Sequence, residues 1–152
     1  MTTKELKHLL GAAISAVQEN EFASSEQLKV VYPSVLSEYT PVHPTGEYLV
    51  VFNSAQYSKS KSTGSVIQDK DVRFSVYTAV KYTGQGKSPE EYTDFLEKAL
   101  SGMRLPVNRA DKLVIAESVK FIKEKNRYWW YETVFVCPAV LIKEVYEINN
   151  LK

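Results

Sequence analysis

LVIAESVKFIK (residues 113–123) and RYWWYETVFV (127–136), joined by the polar Glu124-Lys125-Asn126, read as two strands and a turn. Val114, Ala116, Ser118, Lys120 and Ile122 alternate with Leu113, Ile115, Glu117, Val119 and Phe121. Trp129, Tyr131, Thr133 and Phe135 alternate with Tyr128, Trp130, Glu132, Val134 and Val136. Both runs are rich in β-branched and aromatic residues, as strand interiors are. The two tryptophans are adjacent, and neighbours on a strand point to opposite faces. One indole can enter a core, and the other then needs a cover from a helix or a second subunit. The hairpin is taken as the spine on which the rest of the chain packs.

A chain of 152 residues is one domain by length and can bury a sizeable core. Its net charge of +1 draws it neither toward nucleic acid nor toward an acidic solvating role. The one cysteine, Cys137, leaves no internal disulfide and no Cys-rich zinc site. No apolar run approaches the roughly 20 residues of a membrane span. MTTKELKHLL carries charges where a signal peptide has its apolar centre, so no secretion signal is expected.

Thr2-Thr3-Lys4-Glu5 offers a capping box. Leu6, Leu9, Leu10, Ala13, Ile14 and Val17 follow at helical spacing, which predicts a helix over 3–19. Gln27–Tyr32 reads as a short strand stopped by Pro33, and SVLSEYTPVHPTG as an irregular connection. In Glu47–Asn53 the run Leu49-Val50-Val51-Phe52 predicts burial on both faces and a central position. SAQYSKSKSTGS (54–65) reads as a long flexible polar excursion between strands. Val66–Tyr82 is a strand with a break near Asp69-Lys70, amphipathic from Val72 onward. Ser88-Pro89-Glu90-Glu91 reads as a second capping box, with Tyr92, Phe95, Leu96, Ala99 and Leu100 as the helix stripe and Gly102 as its stop. Cys137-Pro138 is expected to break the ladder, with Ala139–Ile148 forming a last edge strand before the tail Asn149–Lys152. The order α-β-β-β-α-β-β-(β) predicts a single α+β domain: a mainly antiparallel sheet with two amphipathic helices packed on it.

Chemistry is sparse. His8 and His43 lie far apart without partners at metal spacing, so no metal is expected. Cys137 with His43 would be a nucleophile–base pair, but a cysteine at a strand end is more often a small buried hydrophobe. Glu90, Glu91 and Asp94 read as helix-start residues. Gly84-Gln85-Gly86-Lys87 lacks the phosphate-loop pattern, and Pro89 removes an amide from the helix start. Lys59 and Lys61 could touch phosphates, and Tyr57 and the 128–131 aromatics could stack on bases. The chain lacks the basic excess of a recognition surface, so no sequence-specific nucleic-acid binding is expected. No cofactor and no membrane contact are expected either. A compact domain with a spare aromatic face and no catalytic constellation suits an assembly subunit.

The order of segments also resembles a known family. An amphipathic helix leads to EYLVVFN and NSAQYSKS, then to IQDKDVRFSVYTAV. A capped helix follows, ending in ALSGMRLPVNRADKLVIAESVKFIKEKNRYWWYETVFVC. Over about Leu6–Leu141 this is similar to the tail-terminator (tail-completion) proteins of Mu-like contractile-tailed phages and phage-tail-like particles. It is most specific at Ala99-Leu100-Ser101-Gly102 and at Trp129-Trp130-Tyr131-Glu132. The resemblance implies a virion structural protein that is not an enzyme: a homo-oligomeric ring, usually a hexamer, capping the tail tube and sheath. It implies partners in the tube and sheath proteins and in a neck or head-completion protein. It implies assembly in the bacterial host cytoplasm and a place in the virion tail or tail-like particle. The resemblance assigns no residue roles. The 54–65 excursion, with Tyr57, Lys59 and Lys61, is expected to reach a neighbour or the tube lumen, and Trp129, Trp130 or Tyr131 to supply an anchor either between subunits or in the core.

Two other readings compete with the ring subunit. A small soluble binding module would use the exposed aromatic face for a ligand or peptide, and would be a monomer or dimer with a concave aromatic pocket. An enzyme built on Cys137 would lose activity in Cys137→Ser.

Overall fold

The computed structural model of the chain describes residues 1–106, 109 and 113–147. The expected tail Asn149–Lys152, together with Ile148 and residues 107, 108 and 110–112, lies outside the described residues. The fold is α+β: helices α1 (Thr3–Glu21) and α2 (Pro89–Leu100), and strands β1 (Lys29–Val31), β2 (Gly46–Tyr57), β3 (Ser65–Lys81), β4 (Ile115–Lys125) and β5 (Tyr128–Glu144). The five strands form one sheet in the order β1-β2-β3-β5-β4. β1 runs parallel to β2, and every other pairing is antiparallel.

Local signals start both helices where expected, but α1 runs two residues past the expected Glu19, and of the second expected box the Ser88 half is formed. Thr2 Oγ1 accepts from the Glu5 amide while the Glu5 carboxylate accepts from the Thr2 amide. Ser88 Oγ accepts from the Glu91 amide, Pro89 opens α2, and Gly102 at φ +83° ends it. Both helices pack on one face of the sheet, the helix face. There Leu6, Leu10 and Ile14 of α1 and Tyr92, Phe95, Leu96 and Leu100 of α2 meet Val72, Phe74, Val76 and Val80 of β3. Gln18, on the same buried flank of α1, donates to the Leu28 carbonyl at 2.9 Å and accepts the Leu28 amide at 2.8 Å. It acts as a surrogate peptide tying α1 to the start of β1. Tyr48 on β2 donates its hydroxyl to the Tyr92 carbonyl at 2.8 Å and so ties α2 to the sheet.

Four sequence expectations are corrected. β3 is unbroken, because Asp69 and Lys70 are paired to β5 and Lys70 also to β2. Residues 54–57 are strand, opposite Lys70–Arg73, and only 58–64 turn the corner. Ser60 holds that turn: its Oγ accepts the Ile67 amide at 3.1 Å and donates to the Ser62 carbonyl. Pro138 does not break the ladder, because β5 runs through it. β4 leaves β5 at Val136, so beyond that point one side of β5 is open, where proline is tolerated. Arg109 covers this open side, donating to the Ala139 carbonyl at 3.2 Å and pairing with Asp71 at 2.8 Å. Finally, the spine of the sheet is β3 with β5, while β4 of the opening hairpin is an edge strand exposed along its whole length.

Candidate functional site

The opposite face of the sheet is covered only in part, by residues 32–45. Leu36 and Tyr39 from this segment pack on Leu49, Ala79, Tyr128 and Trp130. Glu47 is the anchor. Its side chain is fully buried and accepts from the amides of Val42 at 3.0 Å and His43 at 2.9 Å, and from the Tyr39 hydroxyl. Burial, aided by the Glu47 carboxylate, pushes the Tyr39 phenol up to about 12. Tyr128 donates to the His43 carbonyl at 2.7 Å, and the His43 Nδ1 accepts from the amides of Thr45 and Gly46. At Gly46 (φ +145°) a Cβ would fall 2.4 Å from the Ala79 carbonyl, so only glycine lets the segment enter β2 here.

The hairpin turn at Asn126 and Arg127 uses two residues at positive φ, 54° and 69°, as tight antiparallel turns require. On β4 the register shifts between Ala116 and Ser118 and again between Phe121 and Lys123. The second shift decides the surface. Strict alternation puts Lys120 on one face and Lys123 and Lys125 on the other. With Ile122 as the extra residue of a bulge, Lys120 stands opposite Glu132, Lys123 opposite Trp130 and Lys125 opposite Tyr128. Three lysines therefore share the face that carries Lys81, which is paired to Tyr128 from the β3 side.

The result is a cleft of about 460 Å³. Tyr128 and Trp130 form its floor, the 37–41 segment one wall, and Lys81, Lys123 and Lys125 its rim. The Lys123 ammonium lies 4.8 Å from the Trp130 ring and that of Lys81 5.9 Å from Tyr128. None of these three lysines is in an ion pair among the described residues. Glu38 is the one acidic residue in the lining. Beside the cleft, Glu132 is almost buried and accepts from Ser75 at 2.7 Å and Tyr77 at 3.0 Å, with Lys120 at 3.4 Å. Burial alone would raise its carboxyl. The Ser75 and Tyr77 hydrogen bonds, with Lys120, outweigh burial and hold it below its ordinary 4.5.

The sequence-predicted interface residues fall in three places. Trp130 is the cleft floor and is 4% exposed. Trp129 and Tyr131 lie on the helix face, as the pairings with Val80 and Thr78 require. There they flank the half-exposed Phe121, at ring distances of 6.1 and 5.5 Å. The two indoles do point to opposite faces, and the more buried one sits beneath the loop, away from the helices. Tyr57, Lys59 and Lys61 are at the far end of the sheet, Tyr57 at the end of β2 and the two lysines within the 58–64 turn. Tyr57 lies under Lys70 at 5.5 Å, and Lys61 pairs with Asp69 at 2.9 Å. Cys137 is buried in the helix-side core, and burial pushes its thiol up to about 12. It pairs with Val72, nine positions along β3 from the Lys81–Tyr128 pair beside which His43 sits. At roughly 3.3 Å per residue that is about 30 Å, so the fold does not bring Cys137 and His43 together. His8 lies against Tyr32, the ring centroids 4.3 Å apart and the planes tilted by 43°. Among the described residues no group of three or more metal-ligating side chains converges.

Sequence reasoning missed the cleft, because the phase change at Ile122 is invisible to a strict two-residue period. The signal available was the run Lys120, Lys123, Lys125 itself. Its spacing of three and then two fits one strand face only across a bulge.

No curated protein matches the chain. A family model described as Gp37 protein matches residues 23–151, most of the chain and every strand of the sheet. The chain belongs to the Gp37 protein family, a family of phage proteins.

Proposed function

We propose that this chain is a structural subunit of a homo-oligomeric ring, a hexamer, that caps the tail tube and sheath of a contractile phage tail or phage-tail-like particle. One face of the ring copies the interface that a further tube or sheath ring would use. The other face does not offer it, so growth ends, and that face serves the neck or head-completion protein. The work is geometric, with no reaction and no cofactor. The observation that carries this reading is the surface of the β4–β5 hairpin in a chain of a phage family. Ile115, Val119, Phe121 and Ile122 are all exposed along β4, with Phe121 at 51%. Apolar surface gathered on one edge strand marks a contact surface, and side chains that meet no substrate chemistry are free to meet neighbours.

Light scattering of the purified chain is expected to give a closed oligomer, and added chain should arrest elongating tail tubes at their ends. A strict monomer at high concentration that leaves tube and sheath ends untouched would end this reading. Deleting Ser58–Thr63 is expected to abolish assembly if the turn reaches a neighbour. The aromatic floor of the lysine-rimmed cleft favours a second reading, a small binding module for a ligand or peptide. A monomer that binds through Trp130 would establish it.

A further inference from the structure

We infer that copies of this chain join head to tail by seating the acidic face of α2 from one copy in the lysine-rimmed cleft of the next. The inference rests on the ring reading above and names its closing contact. Glu90, Glu91, Asp94 and Glu97 are all exposed. At 100° per residue they share one arc of the helix, opposite the stripe of Phe95, Leu96 and Leu100 that packs on the sheet. None of the four carboxylates is in an ion pair among the described residues. The cleft offers the complement: three lysines without acidic partners, around an aromatic floor. Each surface carries an excess of one sign that its own chain leaves uncompensated, and the excesses are opposite.

The placement of the two surfaces fixes the symmetry. α2 lies on the helix face of the sheet and the cleft on the other, so a contact that joins them cannot be two-fold. A heterologous contact of this kind closes into a ring or runs on as a filament. Edge pairing is the competing way to join sheets, and the chain blunts it: β4 carries two bulges and a row of lysines, and β1 is three residues long. The copies therefore meet through faces and side chains. Because the attraction is between exposed charges, it weakens as salt shortens the screening length from about 10 Å at 0.1 M to about 3 Å at 1 M.

The test uses the full chain and two charge-reversed variants. Lys123→Glu/Lys125→Glu makes both surfaces acidic, and Glu90→Lys/Glu91→Lys/Asp94→Lys makes both basic, since three of the four α2 carboxylates are then reversed. Each variant alone is expected to sediment as a monomer at 0.1 M salt, with a circular dichroism spectrum like that of the wild type. A one-to-one mixture is expected to reassemble, because each acidic surface then meets a basic one in alternating order. If the wild type assembles and the reversals leave it assembled, or the mixture stays monomeric, this contact is wrong and the ring reading stands. A wild type that never assembles removes the ring reading itself.

Discussion

The two faces of the sheet are held by different physics. On the helix face, Phe74, Val76, Phe135 and the stripes of α1 and α2 exclude water, and the burial of carbon does the work. On the loop face a much smaller cluster is roofed by 32–45, a segment without a regular element longer than one turn, and this roof is tied down through Glu47. A hydrophobic face spreads its stabilisation over many side chains, none of which fixes a geometry alone. A face whose roof hangs on a few polar ties, Glu47 foremost and Tyr128 to the His43 carbonyl beside it, concentrates its geometry in few residues, and that face carries the cleft.

The sharpest way to break the contrast is Glu47→Ala. The Val42 and His43 amides and the Tyr39 hydroxyl lose their acceptor, an expected cost of about 3 kcal/mol by urea unfolding. The loss should be local to one face. In a Trp129→Phe background the Trp130 emission is expected to shift to the red, while far-ultraviolet dichroism from the helices holds. Unchanged Trp130 emission would mean that the roof is held by its apolar contacts instead.

Glu132→Gln sharpens the comparison through pH. The folded carboxyl is held below its ordinary 4.5, so its stabilisation is present above that value and is lost as pH falls through the lowered folded value. The variant is expected to be less stable than wild type by about 1 kcal/mol at pH 7. The gap should close in the acid range below 4.5. A gap that stays constant with pH would assign the effect to packing alone.

The smallest effect belongs to the helix face. The Thr133 hydroxyl is buried there and meets no hydrogen-bond partner among the described residues. Thr133→Val replaces an unmatched polar group with a methyl in the carbon-rich layer and is expected to raise stability by about 0.5 kcal/mol. A drop in melting temperature would show that the hydroxyl is satisfied.

These contrasts explain what could be read from residues alone. The helices were legible because cap and stripe agree: Thr2 with Glu5, Ser88 with Pro89 and Gly102. The inward face of β3 was legible from Val72, Phe74, Val76, Thr78 and Val80, all buried. Strand rank in the sheet was not, since an apolar edge strand such as β4 has the composition of a central one. Nor was the continuation through Pro138, which depends on where the neighbouring strand ends. The stretch SVLSEYTPVHPTG reads as mere connection because its role comes from Glu47, a residue outside it. Of the candidate interface, Trp130 was named for its aromaticity, and the lysines that surround it were scattered over two faces until a bulge realigned them.

The ladder of β3 with β5 also sets a timetable. It joins Lys81 to Tyr128 and Ser65 to Glu144, so every rung waits for chain made long after β3 itself. While the ribosome is still adding the second half, β3 holds Val72, Phe74 and Val76 on a strand with one bare side, a state prone to wrong partners. Contacts this distant in sequence also form slowly. The sheet, with both of its faces, is therefore complete only once the last strand is out.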